Sequence, residues 1–174
     1  ACERENLRRQ SKGLTQFGRE SLAEVARLQM PVDVAHINDA AFWELMDIAE
    51  CPVSYTHGCC YALCPHSRGL TDEMMEALAE KDGVMGIAFY RRFIAAERAT
   101  LDRLCDHFVH ALEVMGPDHV GIGSDFDGTT RTLWPIPADV SGMNSVFDAL
   151  SARGMDDDTL RKIAGENLLS LLPE

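Results

Sequence analysis

The sequence predicts an α/β protein with a parallel sheet, because short apolar runs alternate with longer segments of helical periodicity. The apolar runs contain β-branched residues and begin at residues 30, 53, 84 and 119. These intervals leave room for a helix between successive strands, as parallel strands require. The pattern leaves open whether the sheet stays open or closes into a barrel.

The first part of the chain contains two predicted helices, each preceded by a side chain that can cap its first turn. Thr15 opens a helix that ends near residue 28, and Asn38 caps a helix over residues 39–49. The first helix is expected to carry one apolar face, made of Phe17, Leu22, Val25 and Leu28. Trp43 is expected to face inward on the second helix. Each helix leads into an apolar run that ends in a histidine, and the predicted strands are residues 30–36 and 53–57.

The second part of the chain continues the alternation after a predicted loop over residues 58–70. Thr71 opens a helix that Asp82-Gly83 ends, and a long helix stops at Gly116-Pro117. The predicted helices are residues 71–81, 100–115, 145–153 and 157–172, the last interrupted at Gly165, and the predicted strands are residues 84–89 and 119–123. The loop of residues 129–140, which contains Trp134, either covers a pocket or is a plain surface excursion.

Length, composition and charge are those of a globular protein and argue against a nucleic-acid-binding or membrane-spanning one. The 174 residues suggest about one domain, and 46% hydrophobic with 25% charged residues is ordinary for a globular protein. The formal net charge of −12 argues against a nucleic-acid partner, because phosphate backbones are bound by basic surfaces. No apolar run approaches the roughly 20 residues that span a bilayer, so no membrane segment is expected.

The six cysteines are expected to be reduced thiols, which predicts a cytoplasmic location. The first residue is not methionine, so we expect residues 1–12 to be the N-terminal segment of a longer parent chain. Residues 13–174 are then expected to form one structural unit.

Three predicted strands end in residues that can bind a metal or transfer a proton, namely His36, His57 and Asp125. The carboxyl ends of parallel strands meet at one face of an α/β fold, so these side chains can converge. Imidazole nitrogens and carboxylate oxygens are suitable zinc ligands. Asp33 lies three residues before His36 and is expected to support the ligands rather than bind the metal.

The order of several motifs resembles the membrane (renal) dipeptidase family of zinc peptidases. The resemblance covers the chain from Gly13 onward. It is carried by Gly13-Leu14-Thr15-Gln16-Phe17-Gly18-Arg19-Glu20, Val32-Asp33-Val34-Ala35-His36, Thr56-His57, Ala62-Leu63-Cys64, Gly121-Ile122-Gly123-Ser124-Asp125-Phe126-Asp127-Gly128 and Gly165-Glu166-Asn167-Leu168-Leu169.

The resemblance implies a (β/α)8 TIM-type barrel, of which this chain holds about four βα units, the C-terminal half. It also implies hydrolysis of dipeptides at a two-zinc site, where a metal-bound hydroxide attacks the peptide carbonyl. His36 and His57 would bind one zinc ion. Asp125 would bind at the second zinc and shuttle the proton to the leaving amine.

Further roles implied by the resemblance concern the surroundings of the metals. Arg68 would hold the substrate carboxylate with its planar fork of donors, and Tyr90 would lie at the rim of the substrate pocket. Asp33 and Asp127 are expected beside the ligands.

Part of the family pattern is missing from this sequence. The family has an early His-x-Asp pair, a glutamate that bridges the metals and a further substrate-binding histidine, all upstream of the matched region. With this incomplete ligand set, we expect the chain alone to bind metal weakly and to have little or no activity. We also expect it to form a homo-oligomer or to pair with a missing N-terminal half, because a half-barrel has unpaired strand edges.

Three alternatives stay open at this point. Asp125-Phe126-Asp127-Gly128-Thr129 also fits the loop of haloacid-dehalogenase-like phosphatases, in which Asp125 would attack phosphorus and Asp127 would handle the leaving-group proton. His57, Cys59, Cys60, Cys64 and His66 could instead hold a structural zinc, although the spacing is unusual. The chain could also be a non-catalytic structural fragment.

Overall fold

A computed structural model describes residues 12–128 and 136–173, so residues 1–11, 129–135 and 174 lie outside the described part. The expected N-terminal segment before Lys12 lies outside the described residues, and so does Trp134. The helices are α1 (Gln16–Arg27), α2 (Asp39–Ile48), α3 (Asp72–Glu80), α4 (Arg91–Ile94), α5 (Leu101–Met115), α6 (Met143–Ala152), α7 (Asp157–Arg161) and α8 (Asn167–Leu169). The strands are β1 (Val32–Asp33), β2 (Val53–Cys60), β3 (Gly69–Leu70), β4 (Val84–Ile87) and β5 (Val120–Ile122).

All described strand pairs are parallel, as the alternation of strands and helices predicts. The strand order is β1-β2-β4-β5, and β3 pairs with the end of β2 at Cys59 and Cys60. β1 pairs with the start of β2, where Val32 lies opposite Val53. The carboxyl ends of the strands therefore lie at one edge of the sheet, which is where the candidate site residues follow.

Four helices begin at the residues that the sequence predicts, because the N-cap side chain of each accepts a backbone hydrogen bond, whereas α4 was not predicted and α6 begins at Met143, two residues before its predicted start, with no side-chain cap. The Thr15, Asn38, Thr71 and Thr100 side chains accept from the backbone N–H groups of Gly18, Ala41, Met74 and Arg103. The longest helix, α5, ends at Gly116, whose φ of 84° lies in the left-handed region. The final helical segment is interrupted by a turn at Lys162–Glu166 that contains Gly165.

A continuous core joins the sheet to the helices that cover it. Phe42 of α2, Met75 of α3, Met85 of β4 and Phe108 of α5 are each less than 2% exposed. Burying an apolar side chain of this size contributes about 1.5–3 kcal/mol. This packing is the rigid support for the edge of the sheet.

The predicted strand boundaries need correction. The first strand is limited to Val32–Asp33, so His36 lies three residues beyond it in a turn. The second strand continues past His57 to Cys60, and the predicted loop of residues 58–70 contains β3. The second strand is longer because its end pairs with β3 at Cys59 and Cys60, beyond the register shift that separates Tyr55 from Gly58 in its pairing with β4.

Two predicted helix faces are partly wrong. On α1, Leu22 is buried, but Phe17 and Leu28 are exposed. On α2, Trp43 is 44% exposed, whereas Phe42 is buried with Ala41, Leu45 and Met46. Trp43 is turned about 100° away from Phe42 by the helical period, and its ring contacts the Phe42 ring edge-on from outside the core.

Among the described residues, none of the helices is both long enough and apolar enough to cross a membrane.

Candidate metal and substrate site

Two candidate ligands meet beyond the carboxyl end of β1 and near the end of β2. The Nε2 atoms of His36 and His57 are 3.0 Å apart, and their ring centroids are 5.0 Å apart. Two imidazole nitrogens bound to one tetrahedral zinc ion lie about 3.3 Å apart, given N–Zn distances of about 2.0–2.1 Å. The facing nitrogens are therefore a donor pair that fits one zinc ion.

Local structure on β1 and β2 brings the two histidines together. The strands are parallel and in register at Asp33 and Ser54, and β2 then continues to His57. After β1, the Asp33 side chain accepts a hydrogen bond from the backbone of Ala35 at 2.9 Å, which forms an Asx-turn. This turn carries His36 back toward β2.

Asp33 also contacts the second strand. Its carboxylate accepts from the Thr56 hydroxyl at 2.7 Å and from the Thr56 backbone N–H at 3.2 Å. The Thr56 Oγ1 atom is in turn 2.8 Å from Nδ1 of His57. Asp33 therefore bonds to the residues directly before His36 and His57, and its role as a supporting residue stays a prediction.

Arg68 lies directly beside the histidine pair although its side chain is almost fully buried, with 3% of the residue exposed. Its Nη2 donates to the carbonyl of His57 at 2.7 Å, and its Nη1 is 3.2 Å from Nε2 of His36. The guanidinium lies over the rings of Tyr55 and Phe93, at 6.0 and 5.5 Å from their centroids. Its Nε is buried and has no hydrogen-bond partner among residues 12–128 and 136–173.

The unsatisfied donor on Arg68 matters because buried polar groups are nearly always hydrogen-bonded. Leaving such a donor unpaired costs about 1–3 kcal/mol. The arrangement holds a positive charge next to the histidine pair, together with a spare donor on the same guanidinium, which is suited to an anionic group of a ligand.

Asp125 follows β5 and lies at the same edge of the sheet. Just before it, Gly123 packs so closely that an added Cβ would overlap the carbonyl oxygen of Thr56, the residue before His57. Ser124 accepts a hydrogen bond from the backbone of Phe89 at 3.0 Å, which joins this segment to the end of β4. Asp125 itself has a φ of 60°, a left-handed conformation that aspartate tolerates better than most residues.

Metal ligation by Asp125 stays a prediction. Within residues 12–128 and 136–173, no group of three or more His, Cys, Asp or Glu side chains is arranged to hold a metal ion. The described part of the chain thus brings together two histidines and positions the Asp125 segment against the strand that carries one of them.

Tyr90 and Asp127 differ in their surroundings. Tyr90 is partly buried after β4, and its ring contacts Phe93 edge-on at 5.0 Å, so Tyr90 and Arg68 share an aromatic neighbour. Asp127 lies in the turn after Asp125 and is exposed. The roles of Tyr90 at the rim and of Asp127 beside the ligands stay predictions.

Two residues of this site, Thr56 and Phe93, were not assigned a role from the sequence. The signal for Thr56 was available, since it directly precedes a candidate ligand. Phe93 gave no signal, because an aromatic residue after a strand is most often ordinary core.

The cysteine-rich segment has a structural role in this fold. Cys51, Cys59, Cys60, Cys64 and Cys105 are buried, and none of them forms a disulfide within the described residues. Burial raises the pKa of Cys60 to about 12, so its thiolate is scarce at neutral pH and a nucleophilic role is unfavourable. The backbone N–H of Cys60 donates to Nδ1 of the fully buried His107 at 3.1 Å.

Comparisons with known proteins show which family the sequence resembles. The family model described as membrane dipeptidase (peptidase family M19) matches residues 1–174. A Klebsiella pneumoniae protein encoded in the pqqA 5′ region is 36% identical over 165 residues, which are 92% of this chain and 60% of that protein. Dipeptidase tcpJ of Claviceps purpurea is 34% identical over 164 residues, which are 93% of this chain and 38% of that protein.

The fold is also similar to that of solved metallopeptidases. A metallo peptidase from Rhodobacter sphaeroides, solved with a phosphinate mimic of the dipeptide L-Ala-D-Ala, has a TM-score of 0.84 and 34% sequence identity. The match covers 92% of this chain and 46% of that chain. The chain thus has the parallel α/β architecture of a TIM-type barrel, in partial form, and it spans less than two thirds of the length of each of these relatives.

These matches give the phosphatase interpretation of Asp125 and Asp127 no support. They agree with the resemblance that the ordered motifs indicated, and the family model extends over the whole sequence. The chain belongs to the membrane dipeptidase family, peptidase family M19.

Proposed function

We propose that this chain supplies one half of the active site of a zinc-dependent dipeptidase. The observation that carries the proposal is the 3.0 Å approach of the His36 and His57 Nε2 atoms beside a buried arginine. A pair of neutral nitrogen donors next to a fixed cation suits a metal site that receives an anionic substrate. The family membership of the chain supports hydrolysis of a dipeptide as the reaction.

The metal would be held by His36 and His57, with Asp125 contributing a carboxylate at a second metal. Both imidazoles are ligand types that zinc prefers. When bound, zinc supplies the polarisation of a carbonyl group and the activation of water near neutral pH. The protein side chains then have to orient the dipeptide and move a proton.

Arg68 would orient the substrate by binding its terminal carboxylate. Two of its nitrogens are already positioned by His57 and His36, and its buried Nε has no partner. A carboxylate arriving at this guanidinium gains a charge-assisted hydrogen bond of about 1.5–3 kcal/mol. Tyr90, which contacts Phe93 edge-on, would border the pocket.

Asp125 would carry the proton from the attacking water to the leaving amine. A carboxylate is suited to this task when it lies within hydrogen-bond reach of both groups. The close packing of Gly123 against Thr56 supports this role, because it draws the segment before Asp125 toward the histidine pair.

The chain is expected to be weak or inactive alone. Two histidines and one aspartate are fewer ligands than a two-metal site requires, and the relatives are longer than the segment matched here. The remaining ligands would come from the part of the barrel that those relatives contain beyond the match.

Zinc titration against a chromogenic chelator tests the metal site on this chain. We expect one zinc ion to bind, and His36→Ala or His57→Ala to lower the affinity by at least about tenfold because each removes one of two nitrogen donors. His110→Ala is the matched control, since His110 pairs with Asp72 on the helices instead.

The proposal fails if the wild-type chain binds no zinc or if His110→Ala weakens binding as much as His57→Ala. A parallel assay of dipeptide hydrolysis tests the expected inactivity. Hydrolysis that His57→Ala abolishes would refute the inactivity of the isolated chain while supporting the dipeptidase chemistry.

A further inference from the structure

A continuous hydrogen-bonded chain runs from Asp33 through Thr56 to His57. The Asp33 Oδ2 atom is 2.7 Å from Oγ1 of Thr56, and that oxygen is 2.8 Å from Nδ1 of His57. The other carboxylate oxygen, Oδ1, accepts from the backbone N–H groups of Ala35 and Thr56 at 2.9 and 3.2 Å.

The direction of these hydrogen bonds follows from counting protons. An ionised carboxylate can only accept, so the single hydroxyl proton of Thr56 is donated to Asp33. The Thr56 oxygen then has no proton left for His57 and must accept one from Nδ1. A neutral imidazole carries one N–H, so Nε2 of His57 keeps its lone pair. That is the nitrogen facing His36.

We propose that Asp33 and Thr56 are positioning residues that hold His57 in its Nδ1–H tautomer and thereby direct the Nε2 lone pair toward the metal. The same carboxylate orders the turn that carries His36, because Ala35 donates to it. Asp33 thus acts on both ligands. It orders the turn before His36 through the backbone of Ala35, and it orients His57 through the Thr56 hydroxyl. The consequence for metal binding rests on the proposed function, but the tautomer does not.

Long-range proton–nitrogen NMR spectra of the histidine side chains test the tautomer in the metal-free chain. At about pH 8.5, well above the ordinary histidine pKa of about 6.5, the imidazoles are neutral and the two forms have distinct nitrogen shifts. Loss of one signal in His57→Gln identifies His57. The same spectrum contains two references, because His107 accepts at Nδ1 from Cys60 and His119 donates from Nδ1 to the carbonyl of Gly83.

Two substitutions change the relay in different ways. Thr56→Val removes the hydroxyl while keeping the branched shape, so the Nδ1–H form loses its acceptor. Asp33→Asn reverses the relay: the two backbone donors hold the amide oxygen at the Oδ1 position, so the amide nitrogen faces Thr56. Thr56 would then receive a proton from Asn and donate its own to Nδ1. Thr56→Ser keeps the hydroxyl and is the matched control.

We expect Nδ1–H at His57 in the wild-type chain and in Thr56→Ser, and a shift to Nε2–H in Thr56→Val and Asp33→Asn. Zinc affinity should fall by about 10–100-fold in the two altered variants, the usual effect of losing a group that orients a ligand. Unchanged His107 and His119 signals report that a variant is folded, and Asp33→Asn decides the matter if Thr56→Val does not fold.

The proposal is overturned if wild-type His57 carries its proton on Nε2, or if both altered variants keep the wild-type tautomer. A tautomer that shifts as expected in a chain that binds no zinc would support the relay and count only against the proposed metal site.

Discussion

At the scale of single residues, His107 is a fully buried titratable group outside the site. Its Nδ1 accepts from the backbone of Cys60, and its Nε2 is 3.1 Å from the carbonyl of Ile94. Both ring nitrogens of the neutral imidazole therefore have a hydrogen-bond partner, and the side chain joins α5 to the end of β2 and to α4. Burial is the largest cause that lowers the pKa of His107.

This environment makes the stability of the chain depend on pH. The pKa of His107 is lower in the folded chain than its ordinary value of about 6.5, so folding favours the neutral form. The contribution is fully present above pH 6.5 and is lost as the pH falls toward the folded pKa, by up to about 1.4 kcal/mol per pH unit for one proton.

Urea unfolding between pH 8 and pH 5 measures this effect. His107→Gln keeps an acceptor and a donor but cannot take up the proton, so its stability should fall less steeply on acidification than that of the wild type. His119→Gln leaves the buried imidazole in place and should follow the wild-type slope. Parallel curves for His107→Gln and the wild type would show that His107 is not responsible.

Residue types at strand ends were enough to predict that His36 and His57 meet, because the parallel arrangement fixes where strand ends lie. The position of Thr56 before a candidate ligand was visible in the sequence, but its contact with Asp33 was not, because that contact depends on the register between β1 and β2. The burial of Arg68 was equally inaccessible, because it depends on the aromatic rings of Tyr55 and Phe93 folding over it. The contribution of Asp125 to a metal site stays a prediction.

At the scale of elements, the starts of the helices with a side-chain cap were predictable, whereas the start of α6 and the strand ends were not. Helix caps are local signals, since Thr15, Asn38 and Thr71 bond to backbone groups three residues ahead. The end of β2 depends instead on non-local pairing, because the strand changes partner after its register shift and reaches β3. No short stretch of sequence contains that information.

The close approach of β2, β4 and the residue after β5 depends on glycine. A Cβ added to Gly86 would overlap the carbonyl oxygen of Thr56 and lie 2.9 Å from the Cα of Gly123. We expect Gly86→Ala to lower the free energy of unfolding by about 3 kcal/mol, since backbone cannot move aside as a flexible side chain can. The displacement would also reach His57, so zinc affinity should fall.

Gly165→Ala is the matched control for this measurement. An added Cβ at Gly165 has no neighbour within 4 Å, so the free energy of unfolding should change by less than about 1 kcal/mol. Urea titrations of the two variants compare the same substitution in a packed and an open position. Equal stability of the two variants would contradict the close packing of Gly86 against Thr56 and Gly123.

At the scale of the whole molecule, the sheet has two edges. Within the described residues, β1 pairs only with β2 and β5 pairs only with β4, so each has one side without a strand partner. Backbone groups on such an edge can pair with another chain. Parallel order along the chain was predictable from the helix-strand alternation, whereas closure into a barrel came from resemblance to longer relatives and not from this pattern.

Self-association through these edges is the final prediction. Sedimentation velocity over about 5–200 µM should show species heavier than one chain, which increase with concentration. Exposed apolar side chains are the other possible cause of association. Among the large apolar side chains of the described residues, Phe17 and Val140 are the most exposed, at 77% and 76%. The double variant Phe17→Ser and Val140→Ser removes them without touching a strand, so edge pairing predicts that it associates like the wild type. A monomer at every concentration would refute self-association, and loss of the heavy species in the double variant would assign it to the apolar surface instead of the sheet.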